Sequence, residues 1–331
     1  MNIDRTIQEA IGIEGDREIS AKSPTSPPPH FPTSPLPHFP TSPHSLLLSP
    51  VSCLLNSAVL FPLMNIDRTI QLAHQLADAS GEIIRRYFRQ PNLETETKLD
   101  QVSSIVTIAD QEAEEAMVAI IQRELPEDGV IREEGVNIPS ESGRYWVLDP
   151  IDGTSSFVKG LPIFGTLIGL VAENQPILGI VDQPILGDRW LGVKGKGSLY
   201  NNQMIVNPYR QDRELALKNA CLASTTPLMF ITERQQAIAR QLQTVCKRTA
   251  FGGDCYNYMM LATGCTAMAM VILESDLKYY DFCALIPIIE GAGGIISDWS
   301  GNPLKADSSE VLAVSNSGLW RQVLEQISRV G

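Results

Sequence analysis

The clearest pattern in the chain begins at Ile66. Ile66, Ile70, Ala73, Ala77, Ile84 and Tyr87 recur on one face at three- and four-residue steps, with Ser80 as the polar gap and Leu76 and Ile83 widening the stripe. This predicts an amphipathic helix of roughly six turns. Val106 and Ile108 precede Asp110, and Ala113, Met117, Ile120, Ile121 and Leu125 then predict a second helix. Runs rich in Ile, Leu, Val and Trp predict strands at Arg144–Leu148, Ile163–Val171, Ile177–Val181 and Arg189–Val193. Helices are predicted at Thr232–Cys246, Tyr256–Thr263 and Phe282–Glu290, the last ended by the glycines at 291–294. Strands at Gly294–Asp298 and Val311–Val314 and a helix near Leu319–Ser328 close the chain. Strands run together early and alternate with helices late, which points to layered α+β and α/β sheets in one compact unit.

The first 63 residues break this pattern. MNIDRTIQ occurs at Met1–Gln8 and again at Met64–Gln71, HFPTSP occurs at 30–35 and 38–43, and ten of the 22 prolines lie between Pro24 and Pro50. Proline fixes φ and removes a donor, so this stretch is expected to be disordered. The apolar run Leu46–Leu63 is interrupted by Pro50, Asn56, Pro62 and three serines, and lies behind the proline-rich stretch. It reads as neither a signal peptide nor a membrane span. The functional protein is expected to begin at Met64, with an N-terminal half of the body at about 64–205 and a C-terminal half at about 206–331.

Composition narrows the function. Of 331 residues 44% are hydrophobic and 19% charged, as in a packed globule, and the net charge of -12 argues against a nucleic-acid surface. An acidic protein still suits an anionic substrate if metal ions supply positive charge. The six cysteines form no C-x-x-C pair and read as reduced, mostly buried thiols of a cytoplasmic protein. His74 is the only histidine outside the N-terminal stretch, so histidine-based triads and zinc sites are nearly excluded. There is no G-x-x-x-x-G-K-[ST] loop, and no G-x-G-x-x-G in a suitable setting.

What remains is carboxylate chemistry. An apolar strand runs from Tyr145 into Asp149-Pro150-Ile151-Asp152-Gly153-Thr154. Two buried anions at a strand end are costly unless something compensates them, and hard divalent cations would do so. Oxygen-only ligands favour Mg²⁺ over zinc. Gly153 and Thr154 open a turn whose N–H groups could cradle a phosphate. The alternative is a simple Asx turn. Glu133-Glu134 before Gly135, Asp110 at a strand-to-helix junction and Asp281 before an apolar helix could complete the cluster; the plainer reading of Asp110 and Asp281 is helix capping.

Together V-T-I-A-D-Q at 106–111, Glu133-Glu134-Gly135, D-P-I-D-G-T at 149–154, Y-D-F-C-A at 280–284 and E-G-A-G-G at 290–294 resemble the inositol monophosphatase superfamily, in order and spacing, over nearly all of 64–331. The resemblance implies a layered αβαβα sandwich of the inositol monophosphatase / fructose-1,6-bisphosphatase type. It implies that Glu133, Asp149 and the Ile151 carbonyl hold one Mg²⁺, that Asp149, Asp152 and Asp281 hold a second, and that a third, weaker ion shares Glu133. It also implies that Asp110 with Thr154 orients an attacking water and that Lys98 is an active-site lysine. Homodimers are common in the family. R-R-Y-F-R at 85–89, P-I-F-G-T-L-I-G-L at 162–170 and G-D-C-Y-N-Y at 253–258 are closer to the histidinol-phosphatase branch. In that branch Asp254 and Glu274 would meet a cationic alcohol moiety. Alternatives are an inositol-1-phosphatase or broad sugar-phosphate phosphatase, and a catalytically silent relative that binds metal or a partner. For the substrate residues, the plainer reading is that Asp254 caps a helix and Glu274 is solvated.

Mass spectrometry of the native protein is expected to find Met64 at its start; abundant peptides from residues 9–63 would contradict that boundary.

Overall fold

The computed structural model of the chain describes residues 66–91, 93, 95–97, 105–212 and 214–330. The expectations for residues 1–63 and for Lys98 lie outside the described residues. Among the described residues no helix is long and apolar enough to cross a membrane.

The elements follow in chain order as α1 (Ile66–Tyr87), β1 (Thr95–Thr97), β2 (Ile105–Thr107), α2 (Ile108–Glu124), β3 (Gly129–Arg132), β4 (Arg144–Asp152) and α3 (Thr154–Val158). Next come β5 (Gly165–Ala172), β6 (Gln175–Gln183), β7 (Asp188–Val193), β8 (Gly197–Tyr200) and β9 (Gln203–Met204). The remainder is β10 (Cys221–Ser224), α4 (Glu233–Val245), β11 (Arg248–Phe251), α5 (Asp254–Thr263), β12 (Met270–Glu274), α6 (Tyr279–Phe282), α7 (Leu285–Gly291), β13 (Ile295–Ser297), β14 (Val311–Val314) and α8 (Ser317–Ser328). Strands β3 to β9 form a seven-stranded sheet in sequence order, and a five-stranded sheet has the order β11-β10-β12-β14-β13. In the first only β3 and β4 are parallel; in the second β11, β10 and β12 are parallel and β13 and β14 antiparallel. β1 and β2 make a separate antiparallel pair.

Period-two side-chain alternation sorts these elements into the expected αβαβα layers. Ile168, Leu170, Leu178, Ile180 and Leu191 of the large sheet pack with Leu72, Leu76, Met117 and Ile121 of α1 and α2. Their neighbours Leu167, Val181 and Trp190 point the other way, into a core with α5, α7, Ile272 and Ala313. Val271, Leu273, Leu312 and Val314 of the small sheet then pack under α4 and α8. The buried stripe of α1 is rotated slightly from the expected one: Thr69, Leu72 and Gly81 are buried while Ile66 and Ile70 are half-buried. Ser80, the polar gap, is fully buried and satisfied by Thr166, whose Oγ1 lies 3.1 Å from its Oγ.

The central contact is a row of small residues across the large sheet. Gly169, Gly179 and Gly192 are register neighbours on adjacent strands. A Cβ on Gly179 would run into the Ala284 carbonyl, one on Gly192 into the backbone of Pro287 and Ile288, and one on Gly169 would lie 2.8 Å from Cys283 Sγ. The row is a groove in which the α6–α7 segment lies directly on sheet backbone, bringing Asp281 to the sheet. The expected single helix at Phe282–Glu290 is therefore two. Pro287 has no N–H for the Cys283 carbonyl, so the helical hydrogen-bond ladder is interrupted between α6 and α7, where Ala284 meets Gly179. Strands β3, β8 to β12 were not expected from sequence; each has two to five residues, too few for a clear alternation.

Gly179→Ala is expected to destabilise the protein by about 2 kcal/mol or more, because the new methyl meets backbone rather than a flexible side chain. Urea unfolding of the purified variant checks this; a midpoint equal to wild type would show that the groove tolerates a side chain.

Candidate active site

Strand β4 is buried from Trp146 to Ile151 and delivers Asp149 and Asp152 at its end. Its pairing with β5 is regular as far as Asp149–Leu167 and resumes at Asp152–Gly165, with a register shift between. Pro150, which has no N–H to place in a ladder, sits in this irregularity, and its carbonyl accepts a 2.8 Å hydrogen bond from Thr166 Oγ1. The bulge turns both aspartates toward one side. α6, seated in the glycine groove, adds Asp281. One carboxylate oxygen from each of Asp149, Asp152 and Asp281 lies within 4.8 Å of the others.

The carboxylates are held individually. Cys255 N–H donates to Asp152 Oδ2 at 2.5 Å, and Lys278 N–H donates to Asp281 Oδ2 at 2.6 Å. Asp149 is almost completely buried, and its Oδ1 has no hydrogen-bond partner in the structure. Burial pushes Asp149 well above the usual carboxylate range, reinforced by Glu133, Asp152 and Asp281. Asp152 is likewise raised by burial and then by Asp254 and Asp281. Burial pushes Asp281 up to about 8; the Lys278 N–H opposes this, and Glu133 and Glu274 add to it. A buried carboxylate oxygen without a donor, facing two more carboxylates, is relieved by a proton or by a cation. Oxygen-only donors suit a hard divalent ion, so the residues present fit one.

Asp110 is fully buried in the first turn of α2. It is not the N-cap: that is Thr107, and the two form a capping box in which Asp110 Oδ2 accepts from Thr107 N–H (2.8 Å) and Oγ1–H (2.5 Å). Its other oxygen, Oδ1, lies 3.4 Å from Thr154 Oγ1, which is also 3.0 Å from the Ile151 carbonyl oxygen. Burial raises Asp110 to about 6 against the Thr107 hydrogen bonds. Asp281 also lies in the first turn of its helix and accepts from the N-cap N–H, so capping and membership of the cluster coexist. Gly153, at φ +89°, turns the chain from Asp152 into α3, where Ser156 and Phe157 N–H close back on its carbonyl. Phe157 is fixed edge-to-face on Phe164.

Asp254 and Glu274 border the same space. With Asp152, Asp281, Thr225, Tyr258 and Leu277 they line a cavity of about 110 Å³. Asp254 is not the N-cap of α5, a role taken by Gly253. It sits at φ +39° after two left-handed glycines and turns its carboxylate to Ser156 Oγ at 3.3 Å. Glu274 is not solvated: it is 3% exposed, accepts from Thr225 N–H and Oγ1–H at 2.8 and 2.6 Å and from Tyr258 OH at 2.7 Å, and is raised by burial to about 7. Thr225, Tyr258, Ser156 and the Cys255 N–H were missed from sequence. Tyr258 was the findable one, four residues after Asp254 on one helix face. His74 instead packs beside Arg189, 3.2 Å from its Nη1.

The model of the inositol monophosphatase family matches residues 65–330. The chloroplastic bifunctional phosphatase IMPL2 of Arabidopsis thaliana is 44% identical over 276 residues, covering 79% of this chain and 75% of the relative. A histidinol-phosphatase of Chlorobaculum parvum is 32% identical, covering 78% and 96%. Among solved structures, an inositol monophosphatase from Zymomonas mobilis is 41% identical with a TM-score of 0.68, covering 79% of this chain and 98% of that one.

The raised carboxylates set a pH dependence for the metal-free protein. Asp110, Glu274 and Asp281 hold protons in the folded state up to about 6, 7 and 8, whereas unfolded they release them near 4. The folded state therefore binds more protons between these limits, and stability falls as pH rises through that window. The Tm of chelator-treated protein is expected to be lower at pH 8.5 than at pH 6, with added Mg²⁺ restoring it most at pH 8.5. A flat or rising Tm in chelator would contradict the placement of these groups.

Proposed function

Because the chain belongs to the inositol monophosphatase family, we propose that it is a Mg²⁺-dependent phosphate monoester hydrolase with histidinol phosphate as its preferred substrate. In this reading Glu133, Asp149 and the Ile151 carbonyl would hold one Mg²⁺, and Asp149, Asp152 and Asp281 a second, with a third, weaker ion sharing Glu133. When bound, the ions supply positive charge that stabilises the phosphoryl group and the leaving oxygen. The chain's own residues do the positioning. Thr154 Oγ1 directs its proton to the Ile151 carbonyl or Asp110, leaving lone pairs for a water O–H. Asp110 is clamped by Thr107, so the Asp110–Thr154 pair is a rigid receptor that orients this water and accepts its proton. The water oxygen bonds to phosphorus as the ester P–O bond breaks on the opposite side; the leaving oxygen takes a proton from solvent and departs as the alcohol, and Asp110 releases the proton it accepted to solvent. The turn at Gly153-Thr154 binds the phosphate.

The observation that carries the substrate choice is the presence of two further carboxylates, Asp254 and Glu274, on the cavity that also holds Asp152 and Asp281. A cavity edged with anions favours an alcohol bearing positive charge; histidinol carries an amine and an imidazole, whereas inositol is neutral. The similarity to histidinol-phosphatases supports this choice. Similarity to inositol monophosphatases supports the second reading, an inositol-1-phosphatase or broader sugar-phosphate phosphatase.

Steady-state kinetics in Mg²⁺ separate the two. kcat/KM is expected to be higher for histidinol phosphate than for inositol-1-phosphate, and Asp254→Asn to lower it about 10- to 100-fold for histidinol phosphate while sparing inositol-1-phosphate, as for loss of a charged hydrogen bond. Asp149→Asn is expected to abolish both activities while leaving the fold intact. Equal kcat/KM values, or an Asp254→Asn loss shared by both substrates, would remove the case for a cationic substrate.

A further inference from the structure

Glu114 is fully buried on α2, four residues after Asp110 and so on the same helix face, yet no role in the chemistry above requires it. Its two carboxylate oxygens are both taken up by the segment at the end of β3. Glu114 Oε2 accepts from Arg132 Nε at 2.8 Å, and Oε1 accepts from the backbone N–H of Glu134 at 3.0 Å. The residue between those two attachments is Glu133. The same segment is tied twice more: Arg132 N–H donates to Asn137 Oδ1 at 2.9 Å, and Arg132 Nη2 pairs with Glu115. The guanidinium, only 10% exposed, folds back beneath the turn and occupies the space where a Cβ of Gly135 would stand. Gly135 is not in a left-handed conformation, so its missing side chain is required for this close approach and not for the backbone.

We propose that Glu114, with Arg132 beneath Gly135, is a positioning device that sets the place of the Glu133 carboxylate against Asp149; the inference rests on the reading of Glu133 as a metal ligand. The physical reason is electrostatic. Glu133 raises Asp149 both by its charge and by a hydrogen bond between the two side chains, so once both carboxylates are ionised the pair is repulsive and favours displacement of the Glu133 turn. β3 and β4 are paired as far as Arg132–Leu148, so the ladder ends at the Glu133 turn. A buried carboxylate on a rigid helix, fastened to the residues on either side of Glu133, opposes that displacement. One face of α2 thus serves the site twice: Asp110 toward Thr154 and Glu114 toward the Glu133 turn. Neighbours of ligands that act in this way change metal affinity by about 10- to 100-fold when altered.

The test is isothermal titration of the metal-free full chain with Mn²⁺, comparing wild type, Glu133→Gln, Glu114→Gln and Gly135→Ala, with chelator-treated melting curves to confirm folding. Glu114→Gln keeps the shape but presents an amide donor to a guanidinium donor. Gly135→Ala displaces the guanidinium from the surface side and leaves the buried carboxylate intact, so it serves if Glu114→Gln fails to fold. The apparent Kd is expected to rise about 10- to 100-fold in Glu133→Gln and at least several-fold in Glu114→Gln and Gly135→Ala. Weakened binding in Glu133→Gln with wild-type binding in the folded Glu114→Gln or Gly135→Ala variants would overturn the positioning role alone. Unchanged binding in Glu133→Gln would overturn the ligand reading, and the positioning role with it.

Discussion

Mutual repulsion among carboxylates removed from water is the constraint on which this structure depends. Asp149 is buried with one oxygen lacking any donor, and Asp152 and Asp281 face it at close range. Burial alone makes each anion costly, and proximity makes the set more so. Among the described residues the protein sets Lys278 against Asp281. Its response is to hold two of the three, Asp152 and Asp281, with the backbone N–H groups of Cys255 and Lys278, leaving their other oxygens for something positively charged. The stability lost in organising this cluster is recovered when its acids take up protons or when a cation binds, and the second couples the fold to the proposed function.

That organisation is possible because the rest of the fold is rigid where the cluster needs it. The bulge in β4 turns two aspartates to one side, and the groove of Gly169, Gly179 and Gly192 lets α6 and α7 lie on the sheet backbone, so that Asp281 arrives from a distant part of the chain. α2 contributes from the other flank with Asp110 and Glu114. The cavity beside the cluster is closed by a second set of acids, Asp254 and Glu274, whose hydrogen bonds come from Ser156, Thr225 and Tyr258. The residues proposed for the phosphate side and those proposed for the alcohol side thus lie on different elements around one cavity.

The legible parts of the sequence were those in which a local pattern is interrupted. An apolar strand that ends in Asp149-Pro-Ile-Asp152 violates its own burial pattern, and the violation marks the site. T-I-A-D at 107–110 is a capping box on its face; Asp110 as the cap itself misplaced the helix start by three residues. Asp281 could be joined to Asp149 only through family resemblance, because no local signal predicts which distant helix meets a strand end. The glycines of the groove each read as a weak strand residue, and their common purpose exists only once the register is known. Glu114 was invisible for the same reason: one acid among several in Q-E-A-E-E, distinguished only by an arginine on another element. Pairings between elements, more than propensities within them, are what the linear pattern leaves out.

Convergence of these carboxylates on a divalent cation is what joins the fold to the proposed chemistry. Anomalous diffraction from crystals soaked in Mn²⁺ tests it most directly. A manganese peak is expected among the carboxylates of Asp149, Asp152 and Asp281. A fully occupied peak elsewhere with none at this cluster, or a cluster splayed apart in the Mn²⁺-soaked crystal, would contradict it.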